Sequence, residues 1–245
     1  MDEIQILTGI QPVTEALKHR RRPLYRLLIS RKSGARELAD IAENAGVKLI
    51  QASTEELTKL AGNSKHQGAV LECGPLPLYS IEELLRFEPP DGRDLVLLAA
   101  GVEDPRNLGA IARCCSFLGV RAMIIPGRET APISPTASKT SAGALESLPV
   151  CRASSATSAC RRFSSAGFEV TGVELKGEPL DSWTEIAPKN LLVVGGEDKG
   201  LTQRLKAKCE RLVTIPGSGN VNSLNVSVAT GIVLHYLIQH SDKID

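Results

Sequence analysis

The apolar positions of this chain change period along its length, and the period identifies the elements. Up to about Cys73 they alternate between helical and extended spacing. Residues 12–18 predict a short helix opened by proline, 24–30 a strand, and 35–45 a helix that stops at Gly46. Residues 47–50 predict a second strand, Ser53 caps a helix through Leu60, and 69–71 predict a third strand. This is an α/β/α unit over residues 1–74. Residues 75–93 hold Pro75, Pro77, Pro89, Pro90 and Gly92 around a short helical piece at 81–85, a composition that reads as a linker. From Asp94 the pattern becomes one of buried parallel strands with helices between them, through residue 245. The strands fall at 95–100, 122–125, 169–173, 191–194 and 212–215, and the helices at 108–118, 154–165, 202–208 and 224–238. The fold class is therefore α/β, in two domains.

Composition narrows the reading. No apolar run approaches the roughly 18 residues of a membrane span, and the N-terminus resembles neither a secretory signal nor a transit peptide. The expectation is a cytoplasmic protein with no membrane partner, or a mitochondrial-matrix protein if a transit peptide has been trimmed. The six cysteines form no C-x-x-C pair and lie at no zinc-ligand spacing, so reduced thiols and no metal are expected. The net charge of +1 conceals a local basic field: eight Lys or Arg and no acid lie between Ala16 and Arg36. Lys18, Arg20, Arg21 and Arg22 form its dense part, a candidate contact for a polyanion such as RNA.

Open α/β sheets bind ligands at the C-terminal ends of their strands. Three polar, glycine-rich segments follow predicted strands: residues 101–113, 195–201 and 215–229. The second has the glycine spacing of a P-loop, but Leu201 stands at the lysine position, and no G-x-G-x-x-G follows a strand. Nucleoside triphosphatase and dinucleotide chemistry are thus poorly supported. Loops of Gly, Asn and Ser can instead hold a ligand through main-chain groups, and Ser223 is placed to cap the last helix.

At these segments the chain resembles the SpoU branch of the SPOUT methyltransferases. Asn107, Gly109 and Arg113 match that family's N-x-G-x-x-x-R motif, and Gly195, Glu197 and Gly200 its G-x-E-x-x-G motif. Ile215-Pro216 and the string from Ser223 to Ala229 match the third motif, and residues 139–144 the K-x-S-A-G-A segment. Residues 7–17 and His66-Gln67-Gly68 are similar to the substrate-binding domain of 23S rRNA guanosine 2′-O-methyltransferases, which is related to the L30e fold.

The resemblance implies an L30e-like RNA-binding domain, a parallel-sheet SPOUT domain with a trefoil knot, a homodimer, and methyl transfer from S-adenosylmethionine to an RNA ribose 2′-hydroxyl. A guanosine of 23S rRNA is the implied target, with tRNA or an inactive RNA-binding role as alternatives. It also implies catalytic roles for Arg113, Asn107, Glu197, Asn225 and Ser223. Gly195, Gly196, Gly200, Ile215, Pro216 and Leu224 are then the cofactor contacts.

Overall fold

The computed structural model describes residues 4–30, 35–87, 94–127, 130–197, 199–219 and 222–241. In chain order the elements are β1 (Gln5–Thr8), α1 (Ile10–His19), β2 (Leu24–Ile29), α2 (Ala35–Asn44), β3 (Lys48–Gln51), α3 (Thr54–Ala61), β4 (Ala69–Cys73), α4 (Ile81–Leu85), β5 (Asp94–Ala99) and α5 (Pro105–Phe117). They continue with β6 (Ala122–Pro126), α6 (Pro135–Thr140), α7 (Ala144–Ser147), β7 (Val150–Ala153), α8 (Ala156–Ser165), β8 (Glu169–Pro179), β9 (Lys189–Val194), α9 (Gln203–Lys206), β10 (Arg211–Thr214) and α10 (Val226–Ser241). The chain divides into two compact units: Met1–Pro77 with Ile133–Ser147, and Leu78–Pro132 with Leu148–Asp245.

The first unit is built on a four-stranded sheet in the order β1-β4-β2-β3, antiparallel except for the β2–β3 pair. Alternation along β2 and β4 turns Leu27, Ile29, Ala69, Leu71 and Cys73 to one face, where they bury against Val13, Ala16 and Leu17 of α1 and Leu38 and Ala42 of α2. A capping box holds the start of α3: the Ser53 hydroxyl accepts from the Glu56 N–H, and the Glu56 carboxylate accepts from the Ser53 N–H at 2.7 Å. That bond holds the Glu56 carboxyl below its ordinary range. Strand β1 was not among the expected strands. It is four residues long, too short for its alternation to register beside the charged N-terminus, and pairing with β4 defines it.

Two expectations are corrected here. Arg22 is no RNA contact. Its side chain is fully buried, with Nε and Nη2 donating to Glu146 at 3.0 and 2.8 Å, and Nη1 donating to Gln5 Oε1 at 3.1 Å and the Gly74 carbonyl at 3.3 Å. Glu146 closes the segment 133–147, which follows six residues after β6 yet groups with the first unit, where α6 contacts β1 and α7 contacts α1. Burial pushes the Glu146 carboxyl above its ordinary value, with Arg22 opposing the shift. The K-x-S-A-G-A segment thus groups by its contacts with this unit, and Lys139 Nζ donates to the Lys65 carbonyl.

The second correction concerns residues 75–93. Tyr79 bridges to Cys151, and α4 buries Ile81 and Leu84 in the core of the second unit, so this part of the stretch is packed structure rather than free linker. Its prolines Pro89 and Pro90 and Gly92 lie outside the described residues.

The second unit carries a six-stranded, all-parallel sheet in the order β10-β8-β9-β5-β6-β7. One face, with Val96, Leu98, Ile124, Leu191 and Val193, buries against α4, α8 and α9. Residues of the opposite parity, Leu97, Met123, Ile125 and Leu192, are also fully buried. Helices α5 and α10 pack together and supply Leu108, Ile111, Cys115, Val233, Leu234 and Leu237 to the interior. Strand β7 was not expected, because Pro149 precedes it and only four residues pair with β6. Strand β8 runs six residues longer than its apolar segment, since its polar end pairs with β10 beyond a register shift.

All six cysteines are free thiols. Burial pushes the Cys151 and Cys160 thiols up to about 12 and the Cys209 thiol up to about 11. No helix among the described residues is long and apolar enough to cross a membrane.

Removing one partner of the Arg22–Glu146 pair leaves a buried charge uncompensated. Arg22→Ala is expected to destabilise the protein by about 3–5 kcal/mol, and the joint replacement Arg22→Met with Glu146→Leu by much less. Denaturant unfolding of the two variants checks this.

Candidate active site

In the second unit β5, β6 and β7 extend the sheet one way from β5, and β9 and β8 extend it the other way. The strand order thus reverses between β5 and β9, which is where open α/β sheets form their binding crevice. The loops that leave these two strands are in backbone contact. A Cβ at Gly196 would stand 2.2 Å from the Gly101 carbonyl oxygen, and one at Gly195 would stand 2.3 Å from the Gly200 carbonyl carbon. Only glycine fits at either position. Gly196 and Gly200 form an antiparallel bridge, with the Gly200 N–H donating to the Gly196 carbonyl at 3.0 Å, so the 195–200 loop folds back on itself. Thr130 braces the first loop: its hydroxyl donates to the Ala99 carbonyl at 3.0 Å and accepts from the Gly101 N–H at 3.1 Å.

Helix α5 starts cleanly because Asp104 caps it and Pro105 occupies its first position. The Asp104 carboxylate accepts from the Arg106 N–H at 2.8 Å and is paired with the Arg106 guanidinium, which holds its carboxyl below the ordinary range. Asn107 follows in the first turn.

The third segment reaches the same place through Asn225. Its Nδ2 donates to Asn107 Oδ1 at 3.1 Å and to Glu197 Oε1 at 2.8 Å. Its Oδ1 accepts from the Ser227 N–H at 2.9 Å and the Ser227 hydroxyl at 2.6 Å. The amide orientation is unambiguous, since a backbone N–H can only donate and a carboxylate can only accept. Asn225 is therefore both the cap of α10 and the junction of three segments. This corrects the expectation for Ser223: the helix begins at Val226, three residues beyond Ser223, which is exposed and stands outside this cluster.

The remaining candidates are placed as follows. Gly195, Gly196 and Ile215 are half-buried, while Gly200, Pro216 and Leu224 are exposed. At Gly217 and Gly219 nothing lies within 4 Å of a built Cβ, so open space adjoins the Ile215–Pro216 strand exit. Glycine main chain with the apolar side chains of Ile215, Pro216 and Leu224 is the kind of residue set that can hold an adenosyl group through main-chain hydrogen bonds and apolar contact. Arg113 is exposed on α5, outside the Asn225 cluster.

Of the basic run in the first unit, Lys18 is exposed and pairs with Glu15 at 3.6 Å. Arg20 is exposed, with its guanidinium donating to the carbonyls of Leu17 and Asn44 at 3.3 and 2.8 Å. Arg21 is half-buried and acts electrostatically on Glu146. Arg31 and Lys32, and the side chain of Arg36, lie outside the described residues. Ser227 and Thr130 were not singled out from the sequence. A hydroxyl in a helix or loop carries no signal until its partner is known. His66, which has no visible partner along the chain, is buried, with Nε2 3.1 Å from Thr58 Oγ1 and Nδ1 accepting from the Gly68 N–H.

Comparison with known proteins matches the SpoU rRNA Methylase family to residues 94–235 and a domain described as RNA 2′-O ribose methyltransferase substrate binding to residues 6–79. The 23S rRNA (guanosine-2′-O-)-methyltransferase RlmB of Ralstonia nicotianae is 33% identical over 238 residues, spanning 96% of this chain and 95% of that protein. An uncharacterized tRNA/rRNA methyltransferase of Mycolicibacterium gilvum is 33% identical over 239 residues, 95% of this chain and 76% of that protein. The crystal structure of the SpoU methyltransferase AviRb from Streptomyces viridochromogenes in complex with AdoMet superposes with a TM-score of 0.80 at 22% identity, covering 97% and 90% of the two chains. That of an RNA 2′-O ribose methyltransferase gives 0.81 at 24% identity, covering 98% and 90%. These two structures share the fold described above.

Gly196→Ala forces a Cβ into the Gly101 backbone, which cannot yield as a flexible side chain would. A loss of about 1–3 kcal/mol in unfolding free energy is expected, measurable by thermal and denaturant unfolding.

Proposed function

The chain belongs to the SpoU rRNA methylase family, and on that premise we propose that it transfers a methyl group from S-adenosylmethionine to a ribose 2′-hydroxyl of RNA, with a guanosine of 23S rRNA as the target. The observation that carries the reading is the Asn225 carboxamide, which ties Asn107 and Glu197 into one cluster at the point where the strand order reverses. The rRNA target is supported by RlmB, which matches along nearly its whole length.

S-adenosylmethionine supplies an electrophilic methyl group on a sulfonium sulfur. The protein's part is binding, orientation and charge. Gly195, Gly196 and Gly200 would hold the cofactor with main-chain groups, and Ile215, Pro216 and Leu224 with apolar contact. Asn107 and Glu197, fixed by Asn225, would orient the ribose; fixing reacting groups is where much of the rate originates. A guanidinium carries N–H donors and no acceptor, so Arg113 is given no role in taking up the hydroxyl proton. Its exposed guanidinium instead suits a phosphodiester, gripped bidentately. Lys18, Arg20 and Arg21 of the first unit add backbone contacts that hold RNA without reading its sequence.

The reading extends to a homodimer and a knotted C-terminal threading. Support for the dimer is an open, largely apolar groove on α5 and α10, lined by Cys114, Ser227, Val228, Gly231, Ile232 and His235, with Val228 51% exposed. Ile232→Glu is expected to yield a monomer in sedimentation equilibrium; an unchanged mass would remove this face as the dimer seam.

Arg113→Ala is expected to leave S-adenosylmethionine affinity within about twofold by calorimetry while lowering methyl transfer about a hundredfold or more. Normal turnover in that variant refutes the assignment. Ribose-methylation mapping of total RNA with and without the gene tests the target, and loss of a tRNA mark in place of a 23S mark would replace it.

A further inference from the structure

The geometry points to Ser227 as a positioning residue for methyl transfer, acting through Asn225; this rests on the functional reading above. A primary carboxamide has two N–H donors and two acceptor lone pairs. In Asn225 all four are used: Asn107 Oδ1 and Glu197 Oε1 take the protons, and the Ser227 N–H and hydroxyl fill the oxygen. Asn225 and Glu197 are exposed, so these groups can touch a ligand, and burial does not hold their side chains in place. Hydrogen bonds alone fix them.

The contribution of Ser227 is specific. The bond from the backbone N–H and the two bonds from Nδ2 hold the amide at both ends, and the Ser227 hydroxyl at 2.6 Å adds a second bond on the oxygen that narrows its remaining swing, and with it the directions in which Nδ2 meets Asn107 and Glu197. Because the Asn225 oxygen can only accept, the Ser227 hydroxyl must donate, and its proton is committed to this bond. Ser227 itself is half-buried in the first turn of α10, where it lines the α5–α10 groove, and its hydroxyl bonds to Asn225. The fold does not need the hydroxyl. Alanine is the better helix former at this position, and the Asn225 oxygen still caps α10 by accepting from the backbone N–H of residue 227 when the side chain is cut back.

The test uses the full chain and compares Ser227→Ala, Ser227→Thr and Asn225→Ala, alone and combined. In Ser227→Ala, kcat on the RNA substrate is expected to fall about tenfold, the loss of one oriented hydrogen bond, with the RNA KM within about twofold and thermal stability close to wild type. Ser227→Thr, which keeps the hydroxyl, is expected to recover most of the rate. In the Asn225→Ala background, Ser227→Ala is expected to cost nothing more, since the two residues act as a unit.

A second readout needs neither cofactor nor RNA. The Asn225 side-chain amide signal, assigned by its absence in Asn225→Ala, is expected to be protected from hydrogen exchange in wild type and clearly less so in Ser227→Ala. Wild-type kcat in Ser227→Ala overturns the inference. So does a rate loss that threonine does not recover, or one that is undiminished without Asn225. If the wild-type chain methylates no RNA but the amide protection behaves as described, the functional reading fails while the Ser227–Asn225 bond stands. If protection is unchanged in Ser227→Ala, the positioning role falls whatever the enzyme does.

Discussion

The arrangement of the second unit depends on one side-chain amide having both its ends satisfied by groups of fixed polarity. Asn225 sits between a helix N-terminus, which offers only donors, and a carboxylate, which offers only acceptors. That polarity leaves the carboxamide one orientation and makes one residue serve two purposes. It caps the longest helix and draws the loops after β5 and β9 to the start of that helix. The glycines of those loops allow the approach: Gly196 lies against the Gly101 carbonyl at a distance no side chain tolerates. A methyltransferase of this family then has a cluster held by exposed hydrogen bonds and tight backbone packing, at the edge of a crevice that the sheet topology creates.

The first unit depends on a different kind of bond. Arg22 and Glu146 are both removed from water, and the guanidinium is satisfied on several sides by Glu146, Gln5 and the Gly74 carbonyl. Such a pair adds little net stability over an apolar substitute but tolerates no mismatch. It specifies where the segment 133–147 docks, by matching one buried charge to another.

Much of this was legible in the sequence. The parallel strands of the second unit are continuous apolar runs, because both faces of the sheet are covered. The three motif segments follow strands and contain the residues that cluster. What escaped was short or polar. Strands β1 and β7 have four residues each and are defined by their neighbours, and the polar end of β8 pairs by backbone bonds that do not depend on side-chain type. The stretch 75–93 read as linker by its prolines, yet Ile81 and Leu84 lie in the core.

The sequence by itself determined most of the kinds of element and the family. Those follow from local spacing and from strings a few residues long. Only the tertiary structure decided which arginine of a basic run is buried, which of Ser223 and Asn225 caps the last helix, and which hydroxyl holds the amide in place. Arg22 meets its partner 124 residues away, and Asn225 meets its partners 118 and 28 residues away. A side chain's role at such separations is set by the polarity of the group it is folded against, and that group is not its neighbour in the chain.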